Sequence, residues 1–197
     1  MTVEERDVSV IRSVRQQEFV RTWQRSFARR GSCPAYAEFG LSRAEDEIPD
    51  LMLFRVCYES EEPRFKIELD GARVAAAWGL SGRGQYVDQT VGARRWSSAK
   101  ELYYLCVARA LPVFSISEVK DLEGREVLHE RLLLPFSDEG TVTHVVASLK
   151  SISIEGKFHN EMLLSRNEGQ SYLVRAVISR ASPPVGNVIA DDVVVDA

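Results

Sequence analysis

Residues 64–84, with the sequence RFKIELDGARVAAAWGLSGRG, constrain the fold of this chain most strongly. Phe65 and Ile67 alternate with charged residues, which is the period-two pattern of a half-buried strand. The strand leads directly into the small-residue segment 72–78, which predicts a short helix that can lie close to a sheet. A second segment, 132–140 with the sequence LLLPFSDEG, predicts a strand that ends at a tight turn. Together these segments predict a small α+β domain.

The rest of the chain predicts further helices and strands around these two segments. Residues 8–30 carry apolar side chains at helical spacing. Residues 97–111 predict a second long helix, in which Ser98 and Glu101 fit a capping box at the N-terminus. Residues 171–180 fit either a strand or a helix. Strands are predicted over residues 51–58, 65–69, 113–121, 127–135 and 141–153.

Composition and charge place the chain among ordinary globular proteins. Its hydrophobic fraction of 45% and charged fraction of 27% are typical of that class. A net charge of −4 argues against general nucleic-acid binding. Because no apolar run is long enough to span a membrane and the N-terminus is polar, we expect a cytoplasmic location. Cys33, Cys57 and Cys106 are odd in number and widely spaced, which is typical of free thiols in a reducing compartment.

The sequence predicts no catalytic residues and no metal site. His129 and His144 are expected on neighbouring strands, but offset by about four residues, or roughly 13 Å along the strand. His159 lies in a polar segment. A haem is not expected because the helix over residues 97–111 contains no histidine. A flavin adduct is not expected because residues 84–97 contain no cysteine. The cofactor, if there is one, stays unknown.

Two groups of apolar residues are candidates for function. The first would line a ligand pocket, and the second would form a dimer or partner surface on the N-terminal helix. Both groups also fit an ordinary hydrophobic core, so each interpretation stays open at this point. The pocket candidates are Trp78, Tyr103, Cys106, Phe114 and Ile116. The surface candidates are Val20, Trp23 and Phe27.

Several short motifs, taken in their order and spacing, resemble a bacterial family of stand-alone single PAS domains. The resemblance covers roughly residues 23–149, about two thirds of the chain. Two positions depart from the family pattern: Asp70–Gly71–Ala72 stands where Val-Gly-Thr is usual, and Phe136 replaces a leucine. The motifs are Trp23, Pro34, Ile48–Pro49–Asp50–Leu51, the segment RFKIELDGARVAAAWG, Leu80–Ser81–Gly82, Leu111–Pro112–Val113 and LLLPFSDEG.

The resemblance implies a five-stranded antiparallel sheet with helices across one face. It divides the chain into an N-terminal amphipathic helix (1–31), a PAS-like domain (32–158) and a partly disordered C-terminal extension (159–197). It further implies a non-enzymatic sensory module that acts through small-ligand binding, protein–protein interaction or both. Partners would be a second copy, in a homodimer through the N-terminal helix, or a regulatory protein. The alternatives are a scaffold with a filled core and a small α+β ligand carrier or enzyme.

Overall fold

The computed structural model describes residues 2–40, 45–59, 61–165 and 169–180, and these form an α+β fold, as predicted. The helices of this described part are α1 (Val14–Arg30), α2 (Ala72–Trp78), α3 (Val87–Thr90) and α4 (Ala93–Arg109). Its strands are β1 (Glu4–Arg6), β2 (Leu51–Cys57), β3 (Arg64–Asp70), β4 (Val113–Lys120), β5 (Glu126–Asp138), β6 (Thr141–Ser153) and β7 (Ser171–Ile178). None of these helices is both long enough and apolar enough to cross a membrane.

The sheet has seven strands in the order β1-β7-β4-β5-β6-β2-β3. The prediction of a five-stranded antiparallel sheet is therefore wrong in two respects, since β7 pairs with β4 and the short β1 pairs with β7 in parallel. The physical reason lies in β4, whose first five residues are all buried. Such a strand cannot remain at an edge, because an exposed edge leaves backbone groups unpaired. Residues 166–168 and 181–197 of the predicted C-terminal extension lie outside the described residues.

Helices cover both faces of the sheet. On one face, α1 is fixed by side chains that donate to strand carbonyls: Gln16 Nε2 to Ser148 O at 2.9 Å and Trp23 Nε1 to Pro135 O at 2.7 Å. On the other face lie α2, α3 and α4. We refer to these faces as the α1 face and the α4 face. Because neither face is left to solvent, strand residues of both parities are buried, as the central part of β5 shows.

The N-terminal helix is shorter than the sequence predicts. It begins at Val14, and Ser13 caps it by accepting a hydrogen bond from the Gln16 N–H. The residues before it form a separate 3-10 turn, in which Asp7 accepts from the Ser9 N–H at 2.7 Å. Gly31 ends the helix in the left-handed conformation, with a φ of 70°.

Helix α4 begins four residues earlier than predicted, and its predicted capping box is wrong. Its N-cap is Gly92, so Ser98 lies in the second turn of the helix. There the Ser98 hydroxyl donates to the Arg94 carbonyl at 3.0 Å. A serine hydroxyl can either accept from a backbone N–H as an N-cap or donate to a carbonyl of the preceding helical turn, and the sequence does not distinguish these two arrangements. The helix ends before Pro112, as predicted.

The β5–β6 hairpin fixes a register that differs from the predicted one. Its turn residues Glu139 and Gly140 both have positive φ, which is typical of a tight two-residue hairpin turn. His129 faces Ser151 and His144 faces Phe136 across the ladder. The predicted offset of about four residues is therefore wrong. The two histidines lie seven positions apart and on opposite faces of the sheet, because a bulge at Phe136 and a short turn shift the pairing.

Candidate ligand-binding site

An arginine of the central strand lies between the sheet and α4. Arg131 of β5 pairs directly with Ser115 of β4, and directly paired residues share one face of a sheet. Its guanidinium carbon lies 5.8 Å from the centre of the Tyr103 ring on α4. Tyr103 in turn packs edge-on against Phe54 and Phe65 of β2 and β3. Arg131 is therefore enclosed within the layer that joins the strands to the helices.

A small free space adjoins this arginine, and we call it the Arg131 chamber. Its volume is about 20 Å³, which is enough for roughly one water molecule. Asp70 also borders the chamber, but its carboxylate accepts from Ser81 Oγ at 3.1 Å and from the Gly82 N–H at 2.7 Å. The main lining residues are Met52, Ile67, Trp78, Val91, Tyr103 and Arg131.

Hydrogen-bond donors without acceptors are concentrated at this chamber. The Arg131 side chain is only 4% exposed, and its Nε and Nη1 have no hydrogen-bond partner within the part of the chain that the structure describes. The indole Nε1 of Trp78 is also buried, and it likewise has no partner among the described residues. Each buried donor left in this state costs about 1–3 kcal/mol of stability. An acceptor placed in the chamber would recover part of that cost.

The remaining donors of Arg131 point toward a glutamine that precedes β7. In the amide orientation that satisfies its neighbours, Gln170 Oε1 accepts from Arg131 Nη2 at 3.3 Å and from Arg95 Nη1 at 3.1 Å. The Gln170 amide nitrogen then donates to Tyr172 Oη. Arg95 belongs to α4, is 4% exposed and lies over the Trp78 ring. Two buried guanidinium groups therefore converge on one neutral amide oxygen.

The positive charges of this region act on a buried histidine. His129 lies two residues before Arg131 on β5, on the same face, and is 1% exposed. Burial, together with the positive charges of Arg131 and Arg95, holds the pKa of His129 well below its usual range. Its Nδ1 lies 3.4 Å from Ser151 Oγ. A second space of about 170 Å³ adjoins this histidine beneath α2, and Leu149 borders both spaces.

The structure places two of the five predicted pocket residues at the Arg131 chamber and two others on the opposite face of the sheet. Trp78 and Tyr103 line the Arg131 chamber. Cys106 is fully buried on the same helix as Tyr103, and burial raises the pKa of its thiol well above the usual value, which disfavours the thiolate. Phe114 and Ile116 lie on the α1 face, opposite the chamber. Their inclusion in one pocket with Trp78 is therefore wrong.

Strand pairing assigns these two residues to their face. Phe114 pairs with Leu132, and Leu132 pairs with Ser148, whose hydroxyl accepts from Gln16 of α1. Ile116 is two residues further along β4 and so has the same orientation. Both faces of this strand are buried, so the apolar character of Phe114 and Ile116 did not indicate which face they occupy.

Sequence reasoning missed Arg131, Arg95 and Gln170. One indication was available, since Arg131 directly precedes the apolar run Leu132–Leu133–Leu134 within a predicted strand. A charged residue in the middle of such a strand is rarely buried without a partner or a function. Arg95 and Gln170 carried no comparable indication, because nothing in their own segments shows that the fold brings them together.

The predicted surface residues of α1 pack on their own sheet. Val20 is fully buried and Trp23 is 2% exposed, so neither side chain is exposed to a second copy. Phe27 is partly buried and stacks on Trp23 with 5.3 Å between ring centres. For these residues the structure supports packing on the same domain rather than a dimer seam. A homodimer stays a prediction, but not one formed through Val20 and Trp23.

The described residues contain no cluster of three or more His, Cys, Asp or Glu side chains suited to bind a metal ion. In comparisons with known proteins, no family model matches the chain and no curated protein matches it. The interpretation of the Arg131 chamber therefore depends on its geometry and charge.

Proposed function

We propose that this protein is a non-enzymatic, PAS-like sensory module that binds a small molecule in the Arg131 chamber. Strands β2 to β6 support the PAS-like assignment, because they form a continuous antiparallel block in the order β3-β2-β6-β5-β4. Helices α2, α3 and α4 follow the first two strands of this block along the chain and cover one face. On this proposal, β1, β7 and α1 are additions to a five-stranded core.

The observation that carries the proposal is the enclosed set of unpartnered donors around Arg131. A scaffold with a filled core would place apolar side chains between sheet and helices, because an unsatisfied buried cation only lowers its stability. A binding site has a reason to keep such groups. The ligand supplies the missing acceptors, and the protein is stabilised when the ligand is present.

Strand β5 offers a route by which binding would be sensed elsewhere. Arg131 contacts the chamber on the α4 face, and four residues later the Pro135 carbonyl accepts from Trp23 of α1. A ligand that favours one packing of β5 against α4 would therefore bias the packing of α1 on the other face. The surface of α1 would then be read by a partner protein or a second copy.

Native mass spectrometry of the purified protein tests the proposal, with a denatured sample as its reference. We expect a non-covalent mass that disappears on denaturation. Tyr103→Phe and Tyr104→Phe form a matched pair of variants on α4, since Tyr103 lines the chamber and Tyr104 donates to Glu62 at the surface. Occupancy should fall in Tyr103→Phe and stay unchanged in Tyr104→Phe.

Two outcomes would contradict the proposal. One is equal loss of the bound mass in both variants, which would locate the ligand outside the chamber. The other is the absence of any bound mass, combined with no thermal stabilisation by a broad set of small molecules. That second result would favour a scaffold with a filled core.

A further inference from the structure

We propose that the ligand of the Arg131 chamber is a compact carboxylate, and that its head group replaces the side-chain amide of Gln170. This inference rests on the proposed function, because it names the chemical class that the same site binds. It also assigns Gln170 a role as an internal substitute that occupies the site when the ligand is absent.

The hydrogen-bonding groups around the chamber favour a ligand that accepts hydrogen bonds. Arg131 Nε and Nη1 and Trp78 Nε1 are all donors, and none has a partner among the described residues. A carboxylate carries only acceptor oxygens, and its two oxygens match the fork of a guanidinium group. A ligand rich in donors would leave these groups unsatisfied.

The positive charge of Arg131 beside the chamber favours a negatively charged ligand. The neighbours that act electrostatically on Arg131 include the hydroxyls of Tyr103 and Tyr172, and Tyr172 also forms a hydrogen bond with it. Burial raises the pKa of Tyr103, so its hydroxyl supplies no negative charge near pH 7. Asp70 borders the chamber, but its oxygens are held by Ser81 and Gly82. A buried guanidinium in these surroundings gains more from a negative charge than from a neutral dipole.

The size of the chamber explains why Gln170 must move. A free volume of about 20 Å³ does not accommodate a carboxylate together with its carbon chain. The amide head of Gln170, however, has nearly the same planar shape as a carboxylate, and its oxygen already lies within 3.3 Å of both guanidinium groups. Gln170 precedes the first residue of β7, so its side chain can leave without breaking the strand ladder.

Displacement of Gln170 would couple binding to the β7 edge of the sheet. The Gln170 amide also bonds to Tyr172, which lies within β7 and contacts Arg175 of the same strand. A ligand in the chamber would release this amide from Tyr172. Strand β7 is therefore the element whose environment changes directly when the site is filled.

Thermal unfolding of the full chain in sodium propionate tests the inference. Propionamide at the same concentration is the neutral control, inorganic phosphate is the non-planar anion control, and ionic strength is held constant with a bulky sulfonate salt. We expect propionate alone to raise the unfolding temperature. Arg131→Met should weaken propionate binding by roughly 10- to 100-fold, the loss expected for charge-assisted hydrogen bonds.

Two substitutions of Gln170 sharpen the test and do not depend on the folding of Arg131→Met. Gln170→Glu places a carboxylate on the chain itself, so it should raise the unfolding temperature without ligand and abolish the response to propionate. Gln170→Ala removes the internal substitute and should strengthen propionate binding several-fold. The Gln170→Glu result alone decides the inference where Arg131→Met does not fold.

The outcomes separate this inference from the proposed function. If native mass spectrometry finds a neutral ligand that depends on Tyr103, the proposed function stands and the carboxylate assignment fails. An unchanged propionate response in Gln170→Glu, or equal responses to propionate and propionamide, would also overturn it. If no bound mass is found and no compound stabilises the protein, both proposals fail together.

Discussion

Replacement of Glu130 by leucine should stabilise this protein, because the native residue is a buried carboxyl group without a partner. Glu130 is fully buried on the α1 face, and neither of its carboxyl oxygens has a hydrogen-bond partner within the described residues. It lies directly across from Lys150 on β6, but the Lys150 ammonium group is taken up by Asp50 at 2.5 Å and Glu47 at 2.6 Å. Leucine has a similar size and no polar atoms to satisfy.

The expected size of the effect follows from the cost of an unsatisfied buried polar group. That cost is about 1–3 kcal/mol, which Glu130→Leu should recover as free energy of unfolding. With a urea dependence of about 2 kcal/mol per M, the urea midpoint should rise by roughly 0.5–1.5 M. Glu126→Leu is the matched control, since Glu126 is exposed on the same strand and its replacement should change the free energy of unfolding only slightly.

The effect should grow with pH. Burial raises the pKa of Glu130, and the charge of Arg12 offsets only part of that increase. An acid whose pKa is higher in the folded state stabilises the fold below its unfolded pKa of about 4.3 and loses this contribution as pH rises through the folded value. The advantage of Glu130→Leu over the native protein should therefore be smaller at pH 4 than at pH 7.

Urea unfolding at both pH values, followed by tryptophan fluorescence, measures these quantities. A lower midpoint for Glu130→Leu than for the native chain at pH 7 would refute the reasoning, since it would show that the carboxyl group has a stabilising partner. A stability difference that is the same at pH 4 and pH 7 would refute the assignment of a raised pKa.

Three further predictions concern the packing of the fold. Gly71→Ala should lower the urea midpoint far more than Gly124→Ala, because a Cβ at Gly71 would lie 2.1 Å from the Ile48 carbonyl oxygen. A Cβ at Gly124 meets open space, so only the positive φ of 82° costs about 1–2 kcal/mol there. Equal effects of the two variants would contradict this. Trp23→Ala should lower the free energy of unfolding by about 3–5 kcal/mol without changing the molecular mass measured by light scattering. A variant that stays equally stable but has half the mass of the native protein would instead support a dimer interface through Trp23. Burial would raise the pKa of Asp121, but the N–H groups of His159 and Arg125 and the Arg125 guanidinium hold that pKa well below its usual range. Asp121→Asn should therefore destabilise the protein at pH 7. The destabilisation should disappear as the pH falls below about 4, where the aspartate of the unfolded chain becomes protonated.

Local elements were predictable because their patterns are set by neighbouring residues. The helix over residues 72–78 and the strand over residues 141–153 have the predicted bounds, since glycine-containing turns precede and follow both segments. The start of α4 was not predictable in this way, because Ser98 bonds back within the helix rather than capping it. Patterns of hydrogen-bonding side chains allow both arrangements, and packing against the sheet decides between them.

The candidate site depended on long-range pairing, which the sequence did not reveal. Phe114 and Tyr103 are both apolar and close in sequence, yet they lie on opposite faces of the sheet. The site instead combines Arg131 of β5 with Arg95 of α4 and with Gln170, which precedes β7. Only the register of β4, β5 and β7 brings these three residues together.

The two charged residues in the middle of β5 are best understood together. Glu130 and Arg131 are adjacent in sequence, but they point to opposite faces of a sheet that helices cover on both sides. They therefore cannot neutralise each other through their side chains, and each is buried at a cost. A strand selected only for stability would carry apolar residues at both positions. A carboxylate beside Arg131 would relieve this cost on the α4 face, and leucine at position 130 would relieve it on the α1 face. The double variant Glu130→Leu/Gln170→Glu should therefore be more stable than either single variant, and α1 should then be more strongly protected from hydrogen exchange.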